Sequence, residues 1–390
     1  MKKGLRLVAF GLACLAASGA RAEIAVSIAY LEMAVERPPT LTNLDPVPPD
    51  LALAGARLGL EDNRTTGGFM GHDYTLEEVV VPVGGDWPAA ARAVLARSTL
   101  VVVNAPAEAL LALADLPEAS GALVFNAAAE ETALRDEACR ANVLHTMASH
   151  DMRSDALAQF LVRKRWTDWV MIAGTHPPDL AFAEALRTSA TKFGARLLAE
   201  KTWAFDADMR RNAAAEVPLF TQDFPAHHVL LVADEIDDFG DYIAYNTWEP
   251  RPVAGSSGAS PRVWSDRVEA FGAAQLQGRF EKLAERRMRP ADYAAWAAVR
   301  VIGEAVTRTG AADPATLRDF ILSDAFELAA FKGAAVTFRD WNGQMRQPMP
   351  IAHEGALVAM APVEGFLHQS NTLDTLGLDR AETGCAAFAP

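Results

Sequence analysis

Lysine, cysteine and long apolar runs are scarce in this sequence, and each scarcity excludes something. Only three cysteines occur, with no C-x-x-C and no H-E-x-x-H, and the eight histidines are scattered, so no metal site is expected. The N-terminal apolar run, Leu7 to Ala17, is too short to cross a bilayer. G-x-G-x-x-G, the P-loop and G-x-S-x-G are missing, and Gly255-Ser256-Ser257-Gly258 lacks the nucleophile-elbow spacing. No repeat, low-complexity tract or long linker interrupts the chain. Past residue 22 the lysines are Lys164, Lys192, Lys201, Lys282 and Lys332, so the cations are mostly arginines. Guanidinium suits carboxylates, although the bias can also be simple composition. The net charge of -14 argues against nucleic acid and against an anionic membrane surface. An anionic small ligand stays possible, because a pocket's local field can oppose the net charge.

The first 22 residues read as a signal peptide, with a basic start (Lys2, Lys3, Arg6), an apolar centre and the cleavage text Ala20-Arg21-Ala22. Cys14 lies inside the apolar run, with Gly11 where a lipobox prefers Leu, so a lipoprotein is not expected. A periplasmic chain follows, more acidic by four charges because residues 1–22 hold four bases and no acid. Cys139 and Cys385 remain. In an exported chain one pair is most economically one disulfide, here tying the C-terminus to the first half; two buried free thiols are the other reading.

From Ile24 the chain alternates strand and helix. Strands are expected at Ile24–Leu31, Tyr74–Val81, Leu100–Val103 and Ala122–Phe125, and again at Trp169–Ala173, Arg196–Thr202 and Val229–Ala233. Asp50 is placed to cap the helix that begins LALAGARLG. Such alternation means α/β lobes with parallel sheets and helices on both faces. Residues 278–322 are mainly helical, and short strands follow near Ala334–Phe338 and Ala356–Met360. The expected division is 23–147 for lobe 1, 148–272 for lobe 2, 273–352 for a return to lobe 1, and 353–390 for a return to lobe 2 and a tail.

The text IAYLE, NTWEPRPVAG, QLQGRF, DYAAWAAVR, AAFKG, FRDWNGQMRQP and GFLH…NTLDTLG resembles a subgroup of periplasmic type I solute-binding proteins. These are of the branched-chain amino acid ABC transporter type, and the subgroup is associated with PQQ-dependent alcohol dehydrogenase systems. The resemblance covers essentially the whole chain after the signal peptide. It implies a hinged, two-lobed binder with pyrroloquinoline quinone (PQQ) or a related quinone as ligand rather than as catalytic cofactor, and the missing catalytic motifs argue against an enzyme. An ABC permease or a periplasmic quinoprotein dehydrogenase is the implied partner. Two alternatives stand beside it: an ABC binding protein for an amino acid or small organic acid, and a ligand-free docking partner of the dehydrogenase. Amino-acid binders of this type place Ser and Thr after the first lobe's strands. Here those positions read Asn104-Ala105-Pro106 and Asn126-Ala127-Ala128, which puts an amino acid in doubt.

Ligands of open α/β sheets sit beyond the carboxyl ends of the strands, which nominates Tyr30, Glu32, Arg37, Asn104 and Asn126 in lobe 1. The same rule nominates Thr175, His176, Trp203 and Asp234 in lobe 2. A flat, anionic quinone calls for an aromatic face and forked cations or amides, hence Trp248, Arg251, Gln275, Gln277 and Arg279. Each has a blander reading. Trp248 can pack, Arg251 can pair with Glu249, Arg279 with Glu281, and His176 can be a satisfied loop histidine. Asp234 and Glu235 could form a general-acid pair but equally cap a helix, and no nucleophile accompanies them.

Overall fold

The computed structural model describes residues 24–36, 46–204, 209–353 and 355–388. The expected signal peptide and Arg37 lie outside them. Five parallel strands build the first sheet: β1 (Ile24–Met33), β2 (His72–Val81), β3 (Leu100–Asn104), β4 (Leu123–Asn126) and β5 (Val143–His145), ordered β2-β1-β3-β4-β5. The strands are joined by α1 (Leu53–Met70), α2 (Trp87–Leu95) and α3 (Ala107–Ala114). Residues Leu100–Val103 and all of β4 are buried, as a sheet covered on both faces requires. Along β1 the period of two sorts the side chains: Val26, Ile28 and Tyr30 enter one core, Ala29 and Leu31 the other.

The second lobe repeats the plan. It contains α4 (His150–Arg163), β6 (Asp168–Ala173), α5 (Pro177–Phe193), β7 (Arg196–Thr202) and α6 (Met209–Thr221). Then come β8 (Val229–Ala233), α7 (Gly240–Ile243) and β9 (Val253–Gly255). Its four parallel strands run in the order β7-β6-β8-β9. The remainder crosses back. β10 (Ser260–Pro261) leads to α8 (Ala273–Ala284), α9 (Pro290–Thr309) and α10 (Pro314–Ile321). The last strands are β11 (Leu328–Ala329), β12 (Ala335–Phe338), β13 (Met345–Arg346), β14 (Met349–His353) and β15 (Ala356–Ala361). Val263, Trp264 and Val268 already belong to the first lobe's core, so the chain re-enters that lobe ahead of residue 273. β10, β14 and β15 form a sheet against α4. The lobes are therefore joined three times: after β5, after β10, and between β13 and β14.

Several of these elements were not legible as sequence. β5, β9, β10, β11 and β13 have three residues or fewer, too few to show a period. The segment of α6 carries Pro218 inside the helix and reads as a break. Asp50 does not cap α1. That helix begins after Ala52 with no side-chain cap of its own, and the Ala52 N–H donates to the Asp292 carboxylate of α9 at 2.8 Å. Asp50 instead pairs with Arg286 at 3.0 Å. A tertiary contact takes over what a local residue was expected to do.

α1 lies along α9, and Gly55 makes the approach possible. A Cβ there would stand 1.8 Å from the Asp292 carbonyl oxygen, a backbone atom that cannot rotate away. Gly55→Ala is therefore expected to lower stability by at least about 1–3 kcal/mol, the scale of overpacking in a close-packed core. Urea unfolding checks it.

Cys139 and Cys385 form a disulfide across a sequence separation of 246 residues. Phe388 packs on the first lobe's core beside it, so the C-terminal segment is fastened to that lobe. Replacing both cysteines by Ser is expected to cost about 2–4 kcal/mol, mainly by freeing the unfolded chain. Chemical unfolding of the oxidised protein against the variant measures the difference.

Candidate functional site

The carboxyl ends of both sheets face one another, and one side chain shows it directly. Arg153, on the first turn of α4, donates to Glu130 in the loop after β4 and to Glu235 in the loop after β8, each at 2.5 Å. A second nitrogen reaches the other Glu235 oxygen at 3.1 Å, and Nε donates to the Pro261 carbonyl at 3.2 Å. The guanidinium also lies over the Phe182 ring, 4.6 Å from its centre. Glu235 is held below the usual carboxylate range: burial raises it, and the charge and hydrogen bonds of Arg153 outweigh that. This cluster forms the floor of a cleft between the lobes.

On the first lobe's wall, three nominated residues come together. Tyr30 is fully buried; its hydroxyl donates to Glu32 at 2.5 Å and accepts from Asn104 Nδ2 at 2.9 Å. Burial first, and Glu32 second, push the Tyr30 phenol up, so it remains a proton donor. Tyr30 thus fixes the two neighbouring strand ends, leaving Glu32 and Asn104 partly exposed toward the cleft. Asn126 is committed elsewhere. Its amide group bonds the Ala129 carbonyl (2.7 Å) and His145 Nδ1 (3.0 Å), and its oxygen accepts from the N–H groups of Ala128 and Ala129. It shapes the loop that carries Glu130 and is itself buried.

On the second lobe's wall, Thr175 is exposed at the end of β6, and His176 Nε2 lies 3.2 Å from Asp238. Asp179 joins the strand ends by accepting the N–H groups of His176 (3.1 Å) and Glu235 (2.6 Å). Asp234 is buried and accepts three backbone N–H groups, from Asp238, Phe239 and Gly240, at 2.7–2.9 Å. It is a turn cap, and with Glu235 bound to Arg153 the general-acid pair does not form.

The remaining nominations do not converge on this cleft. Trp203 is in the second lobe's core, stacked on Phe239 at 6.0 Å and edge-on to Phe220 at 4.5 Å. Trp248 and Arg251 precede β9, so they lie at the amino end of a parallel strand, opposite the cleft. The Trp248 N–H bonds Thr221 Oγ1 at the end of α6, and Arg251 pairs with Glu249 at 3.2 Å. Gln275, Gln277 and Arg279 belong to α8 on the first lobe. Gln275 is exposed, Gln277 accepts from Trp264 Nε1 at 3.3 Å, and Arg279 pairs with Asp62 of α1 rather than Glu281. Spacing along the chain had grouped residues that the crossing after β10 sends to different lobes.

Sequence reasoning missed Glu130 and Arg153. A signal for Arg153 existed: it stands in phase with Leu157 and Leu161, both in the second lobe's core. A charge on an apolar stripe needs a buried partner. One cavity, of about 410 Å³, lies away from the cleft, among Lys192, Phe193, His368 and Glu382. Its lysine is already paired with Asp155 and Glu382, both at 3.1 Å.

Two sheets meeting at their carboxyl ends across three crossings give the molecule its class. Residues 50–214 match the family model described as periplasmic binding protein. The fold is that of a two-lobed periplasmic binding protein. Among solved structures with this fold is a leucine-, isoleucine-, valine-, threonine- and alanine-binding protein from Brucella ovis in a closed conformation. It is 15% identical, covers 93% of this chain and 98% of its own, and has a TM-score of 0.70. A branched-chain amino acid ABC transporter periplasmic ligand-binding protein from Burkholderia xenovorans is 13% identical, with 93% and 100% coverage and a TM-score of 0.69. An ABC transporter solute-binding protein from R. palustris, in complex with benzoate, is 12% identical, with 93% and 99% coverage and a TM-score of 0.63. No curated protein matches the chain by sequence. Among the described residues of this binding-protein fold, no helix is long and apolar enough to cross a membrane.

Removing Arg153 would leave two carboxylates facing each other in a largely buried site. Arg153→Met is expected to cost about 3–5 kcal/mol. Glu235 contributes stability above its ordinary range near pH 4.5 and loses it as pH falls through its lower folded pKa. The wild type's advantage over the variant should therefore shrink in that acid window, because protonated carboxyls no longer need the cation. Urea unfolding of both proteins from pH 7 to pH 3 checks the cost and its sign.

Proposed function

We propose that this protein is a periplasmic solute-binding component of ABC-transporter type, which closes its lobes on a small organic or amino acid. The observation that carries the reading is the cleft. Glu32 and Asn104, fixed by the buried Tyr30, face it from one lobe, and Thr175 and His176 from the other. The Arg153 cluster spans its floor. Hinge closure around a ligand is what such a pair of lobes can do: the connections hold one end while the strand ends approach. The neighbours that share the fold support the ligand class, since their names give branched-chain amino acids and benzoate. We read the chemistry as binding: at the strand ends Asp234 is tied into a turn cap and Glu235 into an ion pair with Arg153, and the Ser256 hydroxyl that donates to Glu235 also accepts the Asp234 N–H.

The quinone reading keeps the fold and loses its site. Its aromatic face and its two arginines, Trp248, Arg251 and Arg279, lie outside the cleft and in two different lobes. Titration of the purified protein with L-leucine, benzoate and PQQ, followed by calorimetry and by small-angle scattering, tests the proposal. Saturation at one equivalent with a contraction of the radius of gyration is expected for leucine or benzoate. Saturable binding of PQQ alone would restore the quinone reading, and no binding by any of the three would remove both.

A further inference from the structure

The chain crosses between the lobes three times, and its tail then joins them once more. After β15 the tail follows the second lobe. The Val363 N–H donates to Gln159 Oε1 of α4 at 3.0 Å, and Phe366 meets Phe193 of α5 edge-on at 5.5 Å. The cavity of about 410 Å³ lies between this stretch and the end of α5, with His368 and Thr375 on one side and Lys192 and Phe193 on the other. Residues 373–377 then hold both lobes at once. The buried Asp374 accepts from Arg339, just after β12, and from Arg346 of β13, both at 2.8 Å; Arg339 also donates to the Leu376 carbonyl at 2.6 Å. These arginines belong to the first lobe, whose core takes in Phe338 and Met345 beside them. From the second lobe, Gln159 donates to Thr375 Oγ1 at 3.0 Å, Asp155 accepts the Gly377 N–H at 2.8 Å, and Lys192 donates to the Gly377 carbonyl at 2.9 Å. The last residues return to the first lobe. There the Thr383 hydroxyl donates to the Arg135 carbonyl at 2.8 Å, Cys385 is bonded to Cys139, and Phe388 packs on the core.

A segment bonded to two bodies resists rotation of one against the other, because its contacts cannot all persist as the angle changes. We propose that the tail is a clasp across the hinge that restrains the range of lobe angles, with the Cys139–Cys385 bond as its fastening. On the first lobe the clasp is held by a covalent bond and by the buried Asp374 with its two guanidinium partners. On the second lobe the bonds of residues 375 and 377 to α4 are single hydrogen bonds. The tail therefore stays with the first lobe, and hinge motion exchanges its contacts with α4. Fastening the end keeps residues 373–377 close to α4, so broken contacts re-form as intramolecular ones at high effective concentration.

The test is single-molecule energy transfer, without ligand, between dyes on Arg92→Cys of α2 and Glu184→Cys of α5, exposed positions in different lobes. Maleimide labelling of the oxidised protein leaves Cys139–Cys385 intact. TCEP then cuts that bond in the folded chain, where Cys385 is partly exposed. The oxidised protein should give one narrow distribution. The fraction at other lobe angles should rise about tenfold on reduction, and equally in Cys139→Ser/Cys385→Ser. Reduction acts on the folded chain, so the outcome does not depend on how the double variant folds. Thr375→Val, which removes one bond to α4, should raise that fraction about two- to tenfold with the disulfide intact. Gly55→Ala perturbs the first lobe's core away from the tail and should match the wild type. An unchanged distribution on reduction, or a rise in Gly55→Ala as large as in Thr375→Val, overturns the proposal. Because no ligand is present, either result leaves the solute-binding reading where it stands.

Discussion

The Arg153 guanidinium is the contact on which the relation of the two lobes depends. Two carboxylates, one carried by each lobe, meet on it at 2.5 Å in a largely buried site. Such a cluster is not a large source of stability, because desolvating three charges offsets most of their attraction. Its effect is geometric. Because Arg153 meets both acids only when the loops after β4 and β8 reach α4, the sheets must present their carboxyl ends to the same space. Every polar group proposed to meet a ligand inherits its place from that arrangement.

A second keystone sets the first lobe's wall. Asp292 accepts the Ala52 N–H, the Arg289 N–H and two guanidinium bonds from Arg286, so one carboxylate caps α1 from outside and α9 from within. Gly55 then lets the two helices touch at backbone distance. Tyr30 packs in the core they create and orients Glu32 and Asn104 with its hydroxyl. The strength of this wall comes from burial, and its specificity comes from a few hydrogen bonds at the strand ends. A solute site needs both, since a rigid wall fixes polar groups that would be mobile on loops alone.

What the cleft holds uncommitted is as informative as what it pairs. Glu130, Glu235, Asp234, Asp179 and Asp238 are all engaged by protein donors. Glu32 has the Tyr30 hydroxyl and no ion pair among the described residues.

The chain's period of two, its buried runs VVV and VLLVA, and its helical return determined the α/β lobes, and the strand-end rule located Tyr30, Glu32, Asn104, Thr175 and His176 at the cleft. The single cysteine pair likewise pointed to the bond that forms. Those properties depend on neighbours within a few residues, or on there being only one way to pair. The fates of Trp203, Trp248, Arg251, Gln275, Gln277 and Arg279 depended instead on where three crossings send the chain, and the closeness of residues 229–280 in sequence hid a change of lobe. Glu130, Arg153 and Glu235 came together across gaps of more than twenty residues. Only the tertiary structure decided them, because a charge's partner is chosen by distance in space and by the water excluded around it.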